Sequence, residues 1–167
     1  GNIVDYLMPP LGPGELLFGI IMAGITRGGV VGVAVYGCML PFVALWPLHL
    51  GAIAYYTFAA SLMLSLMGFL GGLWAEKFDQ LAAVTNFGIT PLSFLSGTFY
   101  SVEALPEALR WLAHVNPFFY MIDGIRYGFT GHADGSLIVG GLVLAMVNLA
   151  LWLWAYRLMQ RGYRLKA

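Results

Sequence analysis

The chain has 167 residues, of which 60% are apolar and only 10% charged, and its eight basic and eight acidic side chains cancel. A soluble domain carries about 25% charged residues, so this composition, with a mean hydropathy of +0.80, excludes a soluble globular domain. With zero net charge, no electrostatic field recommends nucleic acid or an acidic partner. An all-α, polytopic helical membrane protein is expected, with four transmembrane helices and a short pair of re-entrant and amphipathic helices outside the membrane.

The first residue is Gly1, and residues 1–15 have neither the basic flank nor the apolar run of a signal peptide, so preceding sequence with further spans is expected. Within this stretch Ile3, Val4, Leu7 and Met8 share one side at helical spacing. Such a stripe needs a cover, either this protein's own spans or a partner.

A helix rises about 1.5 Å per residue, so a crossing needs roughly 20 apolar residues. From Gly28 to Ala75 there is no Asp, Glu, Lys or Arg, which is room for two crossings. Trp46-Pro47-Leu48-His49 is the natural turn, because proline removes a backbone donor that lipid cannot replace and the two rings suit the headgroup layer. The first span is expected from Arg27 to Trp46 and the second from Gly51 to Trp74. Arg27 then marks the cytoplasmic edge, where it can reach the headgroups. At the bilayer centre it would cost about 2.5 to 3.5 kcal/mol. Glu15 to Thr26 is expected to extend this helix into the interface or the protein interior. The single cysteine, Cys38, reads as a small packing residue. Gly24, Gly28 and Gly32 recur every four residues, as do Gly68 and Gly72, so helix backbones can approach closely, within the chain or between subunits.

Glu76-Lys77-Phe78-Asp79 forms a short polar loop, and Leu81 to Phe99 gives an uncharged third span. From Tyr100 to Gly135 the chain lies outside. Pro106 suits the first turn of a helix ending before Asn116-Pro117, with Leu105, Leu109 and Leu112 on the face laid against the membrane and Glu107 and Arg110 on the other. Phe118 to Phe129 is too short to cross and fits a buried or re-entrant helix. Asp123 and Arg126, three apart, form either a local ion pair that lets this helix dip inward or a contact for a passing substrate. The fourth span runs from Ser136 to Tyr156. Arg157, Arg161, Arg164 and Lys166 follow it, which puts the C-terminus, and with four crossings residues 1–15 as well, in the cytosol.

No GxxxxGK[ST] phosphate loop is present, so ATP is not bound by that device. His49, His114 and His132 are far apart and form no HExxH pattern, so no metal site is expected. Ser65, Ser93 and Ser96 lack the histidine and acid of an intramembrane nucleophile. The chain reads as a non-enzyme, and any transport it performs is passive or powered by a partner.

The run PLSFLSGTFYSVEALP, an amphipathic helix, then NPFFYMIDGIRYGF and a last span with a basic tail resembles the permease subunit of ABC-2 type transporters. The opening GNIVDYLMPPLGPGELLFG is similar to the cytosolic segment after that family's second span. The resemblance implies one transmembrane domain over residues 1–167, equivalent to the last four of six spans. Residues 1–15 correspond to a cytosolic coupling segment, and residues 100–135 to the external re-entrant segment. It implies an ATP-driven exporter in the bacterial cytoplasmic (inner) membrane, built as a homodimer on a separate ATPase subunit that holds ATP and Mg, with no cofactor bound by this chain. Asp5, Tyr6, Leu7, Pro9 and Pro10 correspond to the ATPase contact. Phe87, Phe94, Phe99, Asp123 and Arg126 correspond to the pathway or its external cap. Cargo in this family is amphipathic or lipid-like, a saccharide or a drug. The alternative is a membrane anchor or assembly subunit that moves nothing.

Overall fold

The structure, a computed structural model, describes residues 12–43, 46–75, 77–96 and 114–161, and these are helical with no strand among them. Helix α1 covers Pro13–Met39 and α2 covers Leu50–Trp74. A continuous helical run follows, formed by α3 (Phe78–Val84), a π-helical turn (Thr85–Ile89) and α4 (Thr90–Leu95). Then come α5 (Pro117–Thr130) and α6 (Leu137–Gln160). Helices α1, α2 and α6 are each long and apolar enough to cross a membrane.

Two of these spans match the sequence boundaries to within a few residues; the first does not. Its helix starts at Pro13, where proline needs no hydrogen-bond partner for its nitrogen and the Glu15 carboxylate accepts the Gly12 N–H at 2.9 Å. It passes Arg27 without a break and ends at Met39, because Pro41 has no N–H with which to continue the ladder. Arg27 therefore lies near the middle of this helix and not at its end. Cys38 is exposed rather than packed.

The third expected crossing, Leu81 to Phe99, is occupied by the interrupted run from Phe78 to Leu95. Pro91 lies four residues after Phe87 and cannot donate to its carbonyl, and the backbone widens into the π turn just before it. Two threonines take up carbonyls there: Thr85 Oγ1 donates to Leu81 O at 3.1 Å and Thr90 Oγ1 to Thr85 O at 3.0 Å.

Packing centres on α2. One core joins Tyr56, Ala59 and Met63 of α2 to Phe118, Phe119, Tyr120 and Met121 of α5 and Leu144 of α6. A second, nearer the other end of the spans, joins Leu17 and Ile21 of α1 to Leu66 of α2 and Ala155 of α6. Gly24 and Gly28 face Ser65 and Ser61 so closely that a Cβ on Gly28 would lie 2.6 Å from Ser61 Oγ, whereas Gly32, Gly68 and Gly72 have nothing within 4 Å. The glycine series thus divides: its first two members pack α1 on α2, and the rest face open space. Within the chain only 11%, 22% and 17% of the most apolar stretches of α1, α2 and α6 are buried, which leaves most of each span to lipid or to other protein.

Candidate functional site

The most constrained part of the molecule is the short helix α5 and the loop behind it. Asn116 caps the helix by accepting the Phe118 N–H at 3.0 Å, and Gly131, at φ 72°, ends it in the left-handed conformation that glycine adopts without strain. The Asn116 carboxamide also donates to Leu92 O and Ser96 Oγ, both at 2.8 Å, tying the end of α4 to the start of α5.

Along its length α5 lies on α2. Gly124 sits under the Tyr56 ring and Gly128 against Ile53, each too close for a Cβ. The carbonyl of Gly128 accepts both Leu48 N–H and His49 N–H at 2.9 Å, and the His49 and Tyr127 rings stack at 4.6 Å. On the next side, Tyr56 and Tyr55 of α2 donate their hydroxyls to Leu137 O and Gly141 O of α6 at 2.6 and 2.7 Å. These ties join the start of α2 to α5 and to the start of α6.

Asp123 is 3% exposed. Its two carboxylate oxygens accept the backbone N–H groups of Asp134 and Gly135 at 2.8 and 3.0 Å. Arg126 turns to Asp134, with Nη1 3.0 Å from Oδ2 against 3.9 Å from Asp123 Oδ1. His132 Nε2 approaches the other Asp134 oxygen at 3.3 Å. The spacing of Asp123 and Arg126 does bring them together, but the closer partner of Arg126 comes from the loop. Asp123 thus holds that loop through both of its carboxylate oxygens.

Phe87, inside the π turn, is 85% exposed, and Phe94 is half-exposed. Phe99, the expected amphipathic helix from Pro106 to Asn116 apart from its last residues, and the segment with Asp5, Tyr6, Leu7, Pro9 and Pro10 lie outside the described residues. Among the described residues no cluster of three His, Cys, Asp or Glu side chains could hold a metal ion.

Between the second half of α1 and the first half of α2, beyond Gly28, the helices diverge around an apolar cleft of about 670 Å³, roofed by Ile125 and Phe129 of α5. Half-way along α6, the buried Asn148 donates to Ala59 O of α2 at 3.0 Å, and its Oδ1 has no partner among the described residues. Sequence reasoning used Asn116 only as the boundary of the preceding helix and passed over Asp134, Asn148 and the Gly124/Gly128 pair. An asparagine directly before proline was the available signal for the cap, and glycines four apart on a twelve-residue apolar run were the signal for the close packing.

The sequence matches the family described as ABC-2 type transporter over residues 1–130. It is 36% identical over 166 residues to the inner membrane transport permease YadH of Escherichia coli K12, covering 99% of this chain and 65% of that protein. The same figures hold for YadH of Shigella flexneri. It is also 36% identical over 75 residues to nodulation protein J of Neorhizobium galegae, 44% of this chain and 29% of that one. The chain thus spans 65% of the length of the YadH relatives. No solved structure matches.

Proposed function

Because the chain belongs to the ABC-2 type transporter family, we propose that it forms the membrane-spanning permease of an exporter in the bacterial inner membrane, paired with a second copy and driven by a separate ATPase subunit. The observation that carries this reading is the family match over residues 1–130, which extends across the external helix α5. ATP and Mg belong to the partner; this chain supplies the pathway.

In this reading, ATP binding closes the ATPase subunits, and the segment with Asp5, Tyr6, Leu7, Pro9 and Pro10 passes the movement to the spans. Only a ligand that binds two conformations unequally can bias them, and ATP is the one with free energy to spend. The helical run from Phe78 to Leu95 faces the cargo, a role supported by the exposure of Phe87 and Phe94 on a run that packs little against the rest of the chain. Asp123 and Arg126 serve the external cap as its fastening and do not touch cargo. The aromatic, nearly uncharged surface suits an amphipathic or lipid-like molecule.

The test is affinity purification of the full-length gene product in mild detergent, with and without Asp5→Lys plus Leu7→Asp. Copurification of an ATPase subunit that the double substitution abolishes supports both the permease and its coupling segment. A preparation free of any ATPase turns the reading to a membrane anchor or assembly subunit.

A further inference from the structure

Arg27 is a positive charge that no described residue meets. It stands half-way along α1, about 20 Å of helical rise from either end. An independent gauge agrees: the adjacent Gly28 abuts Ser61, which is half-way along α2. A point at the centre of a hydrocarbon core about 30 Å thick is about 15 Å from either headgroup layer, beyond the reach of an arginine side chain bending toward the surface. The side chain is exposed, and no hydrogen bond or ion pair joins it to a described residue.

Among the described residues none offers it a counter-ion at that depth. There is no Asp or Glu from Leu16 to Ala75, from Leu81 to Val102, or from Ser136 to Ala167. The buried acids of the cap are engaged with the loop, and Glu15 is held at the start of α1. A second copy of the chain is equally without a carboxylate on these stretches. Around Arg27, at helical spacings of three, four and seven residues, stand Ile20, Ala23, Val30, Val31 and Ala34, all exposed. This face lies about a quarter-turn from the one that packs α1 on α2 through Leu17, Ile21, Gly24 and Gly28. One guanidinium is thus set in an apolar stripe. That combination matches an amphiphile with an anionic head, since a guanidinium grips a phosphate or carboxylate with two parallel hydrogen bonds and ionisable groups inside membranes mark pathways for charged cargo.

We infer that Arg27 is an anion-binding group inside the membrane, which takes the phosphate or carboxylate head of an amphiphile whose tail lies along Ile20, Ala23, Val30, Val31 and Ala34. The inference rests on the transport reading for the role of that amphiphile as cargo; binding itself needs no ATPase.

The full-length protein in phosphatidylcholine nanodiscs, titrated with dioctanoyl phosphatidic acid, tests it. Wild type is expected to bind, Arg27→Gln to lose about tenfold or more in affinity, and Arg27→Lys to fall between them. Dioctanoyl phosphatidylcholine should not distinguish the three. Inorganic phosphate separates the two sources of the anion: competition in wild type but not in Arg27→Gln shows that the phosphate alone is held, and no competition shows that the tail is needed. As a second measurement, Arg27→Cys in a background with Cys38→Ala and any other cysteine replaced is expected to react with an anionic methanethiosulfonate and to be shielded by the short-chain phosphatidic acid. Equal affinity of wild type and Arg27→Gln overturns the proposal, and so does a thiol at position 27 that never reacts, because another protein segment then seals the position. Should Arg27→Gln aggregate, the lysine variant and the labelling decide. An ATPase that copurifies with a protein lacking anion binding removes this inference alone, and anion binding without an ATPase removes the exporter reading alone.

Discussion

Arg126 passes over Asp123, the acid that helical spacing sets beside it, and places its guanidinium 3.0 Å from Asp134 across the turn that follows the helix. The Asp134 side chain is 2% exposed and that of Arg126 25%, so the pair is partly shielded from water and salt. A double-mutant cycle on Arg126 and Asp134 should give a coupling of about 1 kcal/mol or more, and the cycle on Arg126 and Asp123 distinctly less. Thermal unfolding in detergent measures both. A larger coupling to Asp123 would return Arg126 to the partner on its own helix.

Asn116 works in two directions, and two substitutions separate them. Asn116→Asp keeps an acceptor for Phe118 N–H but loses the donors to Leu92 O and Ser96 Oγ. Asn116→Ala loses both. The alanine variant should be less stable by about 1 to 2 kcal/mol. The aspartate should fall between it and wild type, while leaving the α4 end more exposed to proteolysis. If both variants unfold at the wild-type temperature, the cap does not hold α4.

The divided glycine series makes a contrast within one helix. A methyl group on Gly24 or Gly28 runs into Ser65 or Ser61, whereas one on Gly32 meets nothing within 4 Å. Gly24→Ala and Gly28→Ala should each cost about 1 to 3 kcal/mol, and Gly32→Ala should be neutral within about 0.5 kcal/mol. Comparable losses at all three would place Gly32 against another protein surface in the working assembly.

The π turn carries one residue more than an α-helix needs, so deleting Gly88 should restore a regular helix through this region. The part before the deletion would rotate by about 100° relative to the part after it. Single-cysteine labelling at Phe87 and Phe94 reads the outcome. The exposure of position 87 relative to 94 should change, with both still on one continuous helix. An unaltered labelling pattern would show that the widened turn is not anchored where Thr85 and Thr90 hold it.

Much of this arrangement is legible in the residues. The start of α2 and the whole of α5 follow from Trp46-Pro47-Leu48-His49 and Asn116-Pro117, because proline and a capping side chain act within a few residues of themselves. The place of Arg27 along α1 is not legible in the same way. Placing Arg27 at an edge follows from the cost of a charge in lipid, which takes for granted that lipid is what surrounds it. The Arg126–Asp134 contact depends on how the 131–136 loop folds back, and helical spacing carries no information across a turn. The π turn lies within an uncharged stretch that reads as any apolar helix would, and only Pro91 hints at it.

The Gly128 carbonyl, which receives two N–H groups from the chain entering α2, bears on what can move. Together with the tyrosine hydroxyls bound to α6 and the loop clasped by Asp123, it joins the start of α2, α5 and the start of α6 into one block. Sliding any of these three past another by a helical turn would break several of these hydrogen bonds at once. The run from Phe78 to Leu95 is fastened to that block at its C-terminal end through the carboxamide of Asn116. The stiff and compliant parts of this bundle are thus unequal, and the compliance is concentrated along the helix that carries Phe87.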